Sequence, residues 1–158
     1  MEGSRPAIAA DVPRIVELAR LMRAELGALR GGAQWLAGEA RREPLDDAYA
    51  TLLGRPDTLV AVGTYADVVV GFGVVLIEAL EAAAPVGIVT DLFVEEEARE
   101  VGVGEAVVGA LLGFCDAAGC SGVDASALPG HRAAKNFFET HGFTARLLVM
   151  HRPLRRTR

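Results

Sequence analysis

The stretch Gly87-Ile88-Val89-Thr90-Asp91-Leu92-Phe93-Val94 decides the fold together with the loop and helix behind it. An acidic turn comes next, Glu95-Glu96-Glu97-Ala98, then Arg99-Glu100-Val101-Gly102-Val103-Gly104, then a helical pattern from Glu105 to Ala118. A strand that runs through a glycine loop into a helix builds an anion site from backbone alone. Glycines let consecutive N–H groups face one point, and the helix N-terminus adds the positive end of its dipole. Such a loop suits a phosphate or pyrophosphate. Val103, Val107, Val108, Leu111, Leu112 and Cys115 give the helix one apolar stripe, and Gly119 suits its C-terminal end.

Outward toward the N-terminus, Val68–Ile77 and Thr58–Thr64 read as strands joined by the turn Tyr65-Ala66-Asp67. The unbroken run Leu59-Val60-Ala61-Val62 implies burial on both faces. Glu78–Pro85 reads as an alanine-rich loop. A helix starting near Pro44 buries Leu45, Tyr49, Leu52 and Leu53, and Ala33–Arg42 reads as irregular. The first helix starts at Asp11 and Pro13 and buries Ile15, Leu18, Ala19, Met22, Leu26 and Leu29. Ser4–Ile8 is a short edge strand. Outward toward the C-terminus, Ser121–Leu128 reads as a strand, Ala133–Thr140 as a helix with Phe137 and Phe138 inward, and Phe143–Arg152 as a last strand or strand pair. The expected order is β-α-α-β-β-β-α-β-α-β, an α+β arrangement with a mixed, mostly antiparallel central sheet flanked by helices rather than a doubly wound one.

At 158 residues the chain is read as one domain, 1–158, with 153–158 a basic, frayed tail. A net charge of −5 argues against nucleic acid as the main partner. No apolar run approaches membrane-spanning length and no signal peptide is recognisable, so the expected location is cytoplasmic, with no membrane partner. Cys115 and Cys120 match no metal-binding spacing and read as reduced packing residues; no metal is expected.

Two blocks at the right separation carry a resemblance: Arg99-x-x-Gly102-x-Gly104 after a strand, and Ala133-Ala134-Lys135-Asn136-Phe137-Phe138-Glu139-Thr140-His141-Gly142-Phe143 after the next. With Arg5-Pro6-Ala7 and Ala10-Asp11-Val12-Pro13 at the start, the chain resembles the GNAT family of acyl-CoA-dependent N-acetyltransferases over nearly its whole length. A dinucleotide site fits less well, because no acidic ribose-binding residue ends a strand about twenty positions on. The resemblance implies the acyl-CoA N-acyltransferase fold, with acetyl-CoA as co-substrate and transfer of the acetyl group by direct attack in a ternary complex to a primary amine of a small molecule or protein. A non-catalytic acyl-CoA sensor on the same fold is the alternative, and many relatives form homodimers.

Carried over residue by residue, the resemblance implies that Leu92, Phe93 and Val94 present backbone groups to pantetheine. Arg99, Glu100, Val101, Gly102, Val103, Gly104 and Glu105 hold the pyrophosphate, with Arg99 either adding a charged contact or lying on the surface. Glu100-Val101 stands where a basic residue or glycine is usual, and Glu95, Glu96 and Glu97 precede it. His131 stands where an asparagine is common, and Asn136 is a weaker contact. Phe138 replaces a tyrosine proposed to protonate the thiolate, which leaves Tyr49 as substitute or core residue. Thr90 takes the place of a common glutamate. Asp91 is then the candidate base or substrate ligand, or else holds a structural hydrogen bond; Glu78 and Asp124 are weaker candidates. Gln34, Trp35, Glu39, Glu43, Asp46 and Asp47 lie on the acceptor side, where Trp35 is either a substrate wall or a core plug.

Overall fold

The structure, a computed structural model, describes residues 1–156. Strands β1 (Glu2–Pro6), β2 (Thr58–Tyr65), β3 (Val68–Leu80), β4 (Ala83–Val94) and β5 (Gly122–Ala125) lie in that order in one sheet. The first four are antiparallel, and β5 runs parallel to β4. The arrangement is α+β, as the sequence implies.

Helices α1 (Val12–Gly27) and α3 (Leu45–Leu53) cover one face. Their apolar stripes meet the sheet in a core of Ile15, Leu18, Met22, Leu45, Tyr49, Val60, Val62, Phe72, Val74 and Phe93. Helix α4 (Val103–Ala117) covers the other face, burying Val107, Leu111 and Cys115 against Ala61, Val75 and Val89. Consecutive residues of β2 are therefore buried to opposite sides, which is why its sequence shows no alternation. Helix α5 (Arg132–Thr140) follows β5 as the last helix or strand among the described residues.

Three glycines set how closely α4 approaches. A Cβ on Gly63 would stand 2.6 Å from a methyl of Val103 and 2.7 Å from one of Val107; Gly73 and Gly87 meet Val107 and Cys115 in the same way. At the opposite corner, Arg5 bonds both oxygens of the nearly buried Asp11 at 2.7 and 3.0 Å, and Asp11 also accepts from the Ile8 N–H. Those bonds hold the Asp11 carboxyl below its ordinary pKa and fix the path from β1 into α1.

Several expectations are corrected. Ala33–Arg42 is not irregular: it contains helix α2 (Gly32–Gly38), whose Trp35 packs half-buried against the α1/α3 core. Glu78–Pro85 is no loop, because β3 and β4 extend into it and leave Glu81-Ala82 as the turn, with Ala82 at φ 55°. Phe143–Arg152 forms no strand. Phe137 and Phe138 are only half-buried, and no residue of α5 is fully buried. Thr157 and Arg158 of the basic tail lie outside the described residues. No helix among the described residues is long and apolar enough to cross a membrane.

The close approach of α4 gives a paired test. Gly63→Ala overpacks a contact between a strand backbone and two β-branched side chains and should cost about 1–3 kcal/mol. Gly109→Ala, on the open side of α4 with nothing within 4 Å of its Cβ, should gain up to about 1 kcal/mol. Thermal melts of the two variants should move in opposite directions.

Candidate functional site

The site is built on an irregularity in β4. Val74 of β3 pairs with Asp91 while Val75 pairs with Val89, so Thr90 is an extra residue with no partner. Side chains alternate along a strand, and without the bulge Asp91 would share the α4 face with Val89. The inserted residue reverses that phase. Asp91 is turned to the α1/α3 face, beside Val74, and Thr90 is exposed.

A carboxylate placed there must be compensated. Asp91 is 5% exposed. Its Oδ2 accepts a 2.6 Å bond from the Tyr49 hydroxyl. Its Oδ1 accepts from Arg41 Nη2 at 2.5 Å and from the Thr90 hydroxyl at 2.7 Å. Arg41 also bonds Thr90 Oγ1 at 2.8 Å and lies 5.3 Å from the centre of the Tyr49 ring, while its buried Nε has no hydrogen-bond partner among the described residues. Burial lowers the pKa of Arg41, but the charge and hydrogen bond of Asp91, with Tyr49, together outweigh it and the guanidinium is held above its ordinary value. Burial, then the adjacent carboxylate, pushes the Tyr49 phenol well above its ordinary value, so it stays protonated. Tyr49 is thus both a core residue, edge-on to Phe72 at 5.6 Å, and the partner of Asp91.

Beyond the bulge the sheet opens. Strand β5 pairs with β4 only across Val86–Val89, which leaves Thr90–Val94 unpaired on that side. In an antiparallel ladder, backbone groups alternate between the two neighbours. The Glu95 N–H bonds Val70 O at 2.9 Å, so the odd-numbered residues Asp91 and Phe93 face β3. Leu92 and Val94 therefore face the gap, where Val94 O accepts from Arg99 Nε at 2.8 Å. Phe93 offers its ring instead, 5.4 Å from the Arg99 guanidinium.

The gap ends at the glycine loop. Glu100 at φ 69° and Gly102 at φ 90° are left-handed with Val101 between them. Backbone that alternates in hand turns successive N–H groups to one side. Among the described residues, no backbone carbonyl accepts from the N–H groups of residues 100–105. Six consecutive donors at the start of a 15-residue helix fit a pyrophosphate. A Cβ on Gly104 would stand 3.2 Å from the Phe137 ring, so that glycine also sets the approach of α5. Glu95 is neutralised by Arg14 at 3.0 Å, whereas Glu96 and Glu97 are exposed.

The remaining expected residues are less directly engaged. Arg99 folds back onto Val94 O and pairs with Glu25 at 2.9 Å. His131 precedes α5 half-buried, Asn136 is exposed, and Phe138 stacks edge-on with Phe143 at 5.2 Å. Glu78 pairs with Val86 and Asp124 with Ile88, at the end of β4 away from Asp91. Glu43 is tied to Arg20 at 2.7 Å; Gln34, Glu39, Asp46 and Asp47 are exposed. Sequence reading missed Arg41. The one clue was indirect: a carboxylate inside an apolar strand needs a cation, and the α2–α3 connection supplies arginines at 41 and 42.

A family model described as the acetyltransferase (GNAT) family matches residues 21–143. No curated protein matches the chain in sequence. Among solved structures, a putative acetyltransferase from Agrobacterium tumefaciens str. C58 is 21% identical over 96% of this chain and 99% of that one, with a TM-score of 0.75. A glucosamine-6-phosphate N-acetyltransferase from Arabidopsis thaliana is 18% identical over 98% and 99%, with a TM-score of 0.72. An aminoglycoside acetyltransferase from an uncultured soil metagenomic sample is 19% identical over 99% and 97%, also at 0.72. At these identities the structural likeness establishes the fold.

The Tyr49–Asp91 contact has a signature in alkali. The phenol's pKa is higher folded than unfolded, so the folded state holds its proton more tightly. Stability from this contact is complete below the unfolded value near 10 and is lost as pH rises beyond it. Melting temperature should fall between pH 9 and 11, and less steeply in Tyr49→Phe. Parallel profiles for the two proteins would contradict a phenol held protonated by burial and by Asp91.

Proposed function

The chain belongs to the GNAT acetyltransferase family, and on that premise we propose that it transfers an acetyl group from acetyl-CoA to a primary amine of a small molecule or protein. The observation that supports this reading best is the pairing of two features across one gap. A row of six unpaired N–H groups lies at residues 100–105, and a bulge turns Asp91 inward where β4 leaves β5.

In this reading the N–H groups of Glu100, Val101, Gly102, Val103, Gly104 and Glu105 hold the pyrophosphate, and the backbone of Leu92 and Val94 lines the pantetheine. When bound, acetyl-CoA supplies a thioester whose thiolate is a tolerable leaving group near neutral pH. Asp91 receives the proton lost by the amine as the C–N bond forms, directly or through water. The Leu92 N–H meets the negative charge that develops on the attacked carbonyl oxygen. Breaking the C–S bond leaves a thiolate that Phe138 cannot protonate, and the proton comes from water. Arg41 and Tyr49 act as positioning residues: their hydrogen bonds fix the orientation of the buried Asp91 carboxylate. Arg41 must give up part of its hold for Asp91 to accept that proton, and the amine attacks in its neutral form, any ammonium having first lost a proton to solvent.

A second reading, an acyl-CoA sensor without turnover, has specific support. Both oxygens of Asp91 are already occupied, by Tyr49 on one side and by Arg41 and Thr90 on the other. A thiol-release assay over a panel of amines separates the two, because the sensor predicts no amine-dependent release.

Two substitutions test the assignments. Asp91→Asn should lower turnover about 100-fold or more and leave CoA affinity by calorimetry unchanged. Gly102→Val should weaken CoA binding, since a side chain there is strained at φ 90° and presses on Glu2. Undiminished turnover in the first would remove Asp91 as base, and undiminished affinity in the second would leave the loop a simple turn.

A further inference from the structure

A histidine closes helix α5. His141 follows Thr140 at the C-terminal end, and its Nδ1 lies 2.8 Å from the carbonyl oxygen of Phe137, one turn back. A carbonyl oxygen only accepts, so Nδ1 carries a hydrogen. That fixes the tautomer. In a neutral ring Nε2 then holds a lone pair, and only the imidazolium has a hydrogen on both nitrogens. Nε2 is buried and has no hydrogen-bond partner among the described residues. The His141 ring packs on Phe137 with centroids 4.4 Å apart, and Phe137 in turn covers Gly104, 3.2 Å from where a Cβ would stand. His141 is thereby held against the first turn of α4.

The group that Nε2 faces there is a carboxylate. Glu105 Oε1 lies 3.5 Å away, on a side chain that is 67% exposed. Counting from the left-handed cap Gly102, Val103 is the first residue of α4, Gly104 the second and Glu105 the third. A glutamate at the third position ordinarily reaches back to the N–H of the cap residue. Here that N–H belongs to Gly102, one of the six at residues 100–105 to which no backbone carbonyl of a described residue is bonded. Glu105 is therefore a tethered competitor for the pyrophosphate, an acceptor of the same sign one turn from the same donors. Among the described residues it makes no such cap and lies toward His141 instead. Of the other charged groups around this corner, Lys135 and Glu139 of α5 pair with each other at 3.9 Å, and Glu2 of β1 lies over Gly102.

We propose, on the reading of residues 100–105 as a pyrophosphate site, that His141 is a positioning residue for that loop: as an imidazolium it holds the Glu105 carboxylate off the Gly102 N–H and keeps the donors free for the cofactor. With a proton on Nε2, His141 and Glu105 form an ion pair that also offsets the negative charge beside the entering phosphates. Without that proton, the Nε2 lone pair faces the carboxylate and repels it, and Glu105 is released to cap Gly102. Cofactor affinity is thereby tied to the charge of His141.

Titration calorimetry of the full chain with CoA tests it. His141→Phe keeps a ring on Phe137 but gives up the charge, and should bind CoA about 5-fold more weakly. Glu105→Ala removes the competitor and leaves the backbone donors in place, and should bind at least as tightly as the unaltered chain. The double variant should match Glu105→Ala, since no carboxylate remains to be held away; a histidine of purely structural importance would leave it as weak as His141→Phe. The affinity of the unaltered chain relative to Glu105→Ala should also fall from pH 6 to pH 8, the range in which an imidazole loses its proton. The titration of CoA itself cancels in that ratio. Equal affinity in His141→Phe and the unaltered chain, a double variant that is not rescued, or a ratio that stays flat with pH overturns the role of His141. An unaltered chain that does not bind CoA at all overturns the loop assignment, and the role of His141 with it. If His141→Phe misfolds, the pH ratio decides, because it leaves His141 in place.

Discussion

One inserted residue governs this molecule. Thr90 has no partner on β3, and because side chains alternate along a strand, everything beyond it changes face. Asp91 moves from the α4 side to the α1/α3 side and must be paired there, which draws in Tyr49 from α3 and Arg41 from the α2–α3 connection. At the same point β4 parts from β5, and the backbone groups of Leu92 and Val94 lose their neighbour. The inward carboxylate and the open gap are two consequences of a single register shift.

The two ends of the gap differ in how they handle charge. At the loop, backbone alone faces the space: left-handed Glu100 and Gly102 turn N–H groups inward, and the start of α4 adds its dipole. Of the nearby acids, Glu95 is held by Arg14, while Glu96 and Glu97 are exposed to solvent. At the bulge, full charges are buried and cancelled by one another. Such a cluster stabilises little, because desolvation offsets most of the attraction, but removing one member is costly. Its value is geometric: it holds a carboxylate oriented and next to the place where β4 opens.

Much of the fold was legible from local pattern. The stripes of α1 and α4, the continuous apolar run of β2 and the loop from Arg99 to Gly104 are signals carried by neighbouring residues, and they are where the structure puts them. The misreadings share one physical cause. Ala33–Arg42 lacks a helical stripe because α2 is only seven residues long, and what commits it is Trp35 packing on α1 and α3. Glu78–Pro85 looked like a loop because alanines give no alternation, yet two strands pair through it with only Glu81-Ala82 turning. Phe143–Arg152 has a strand's composition, but composition does not provide a partner, and in the single chain it pairs with none.

The sequence by itself determined the main helices and strands, the α+β class, the glycine pattern of the loop after β4 and the presence of an acid in an apolar strand. These depend on residues close together in the chain, where spacing fixes geometry. Only the tertiary structure decided which face Asp91 occupies, that Arg41 and Tyr49 meet it across 50 and 42 positions of sequence, and that Leu92 and Val94 rather than Phe93 face the gap. Those facts come from pairing register, and a bulge is visible only once the partner strand is in place.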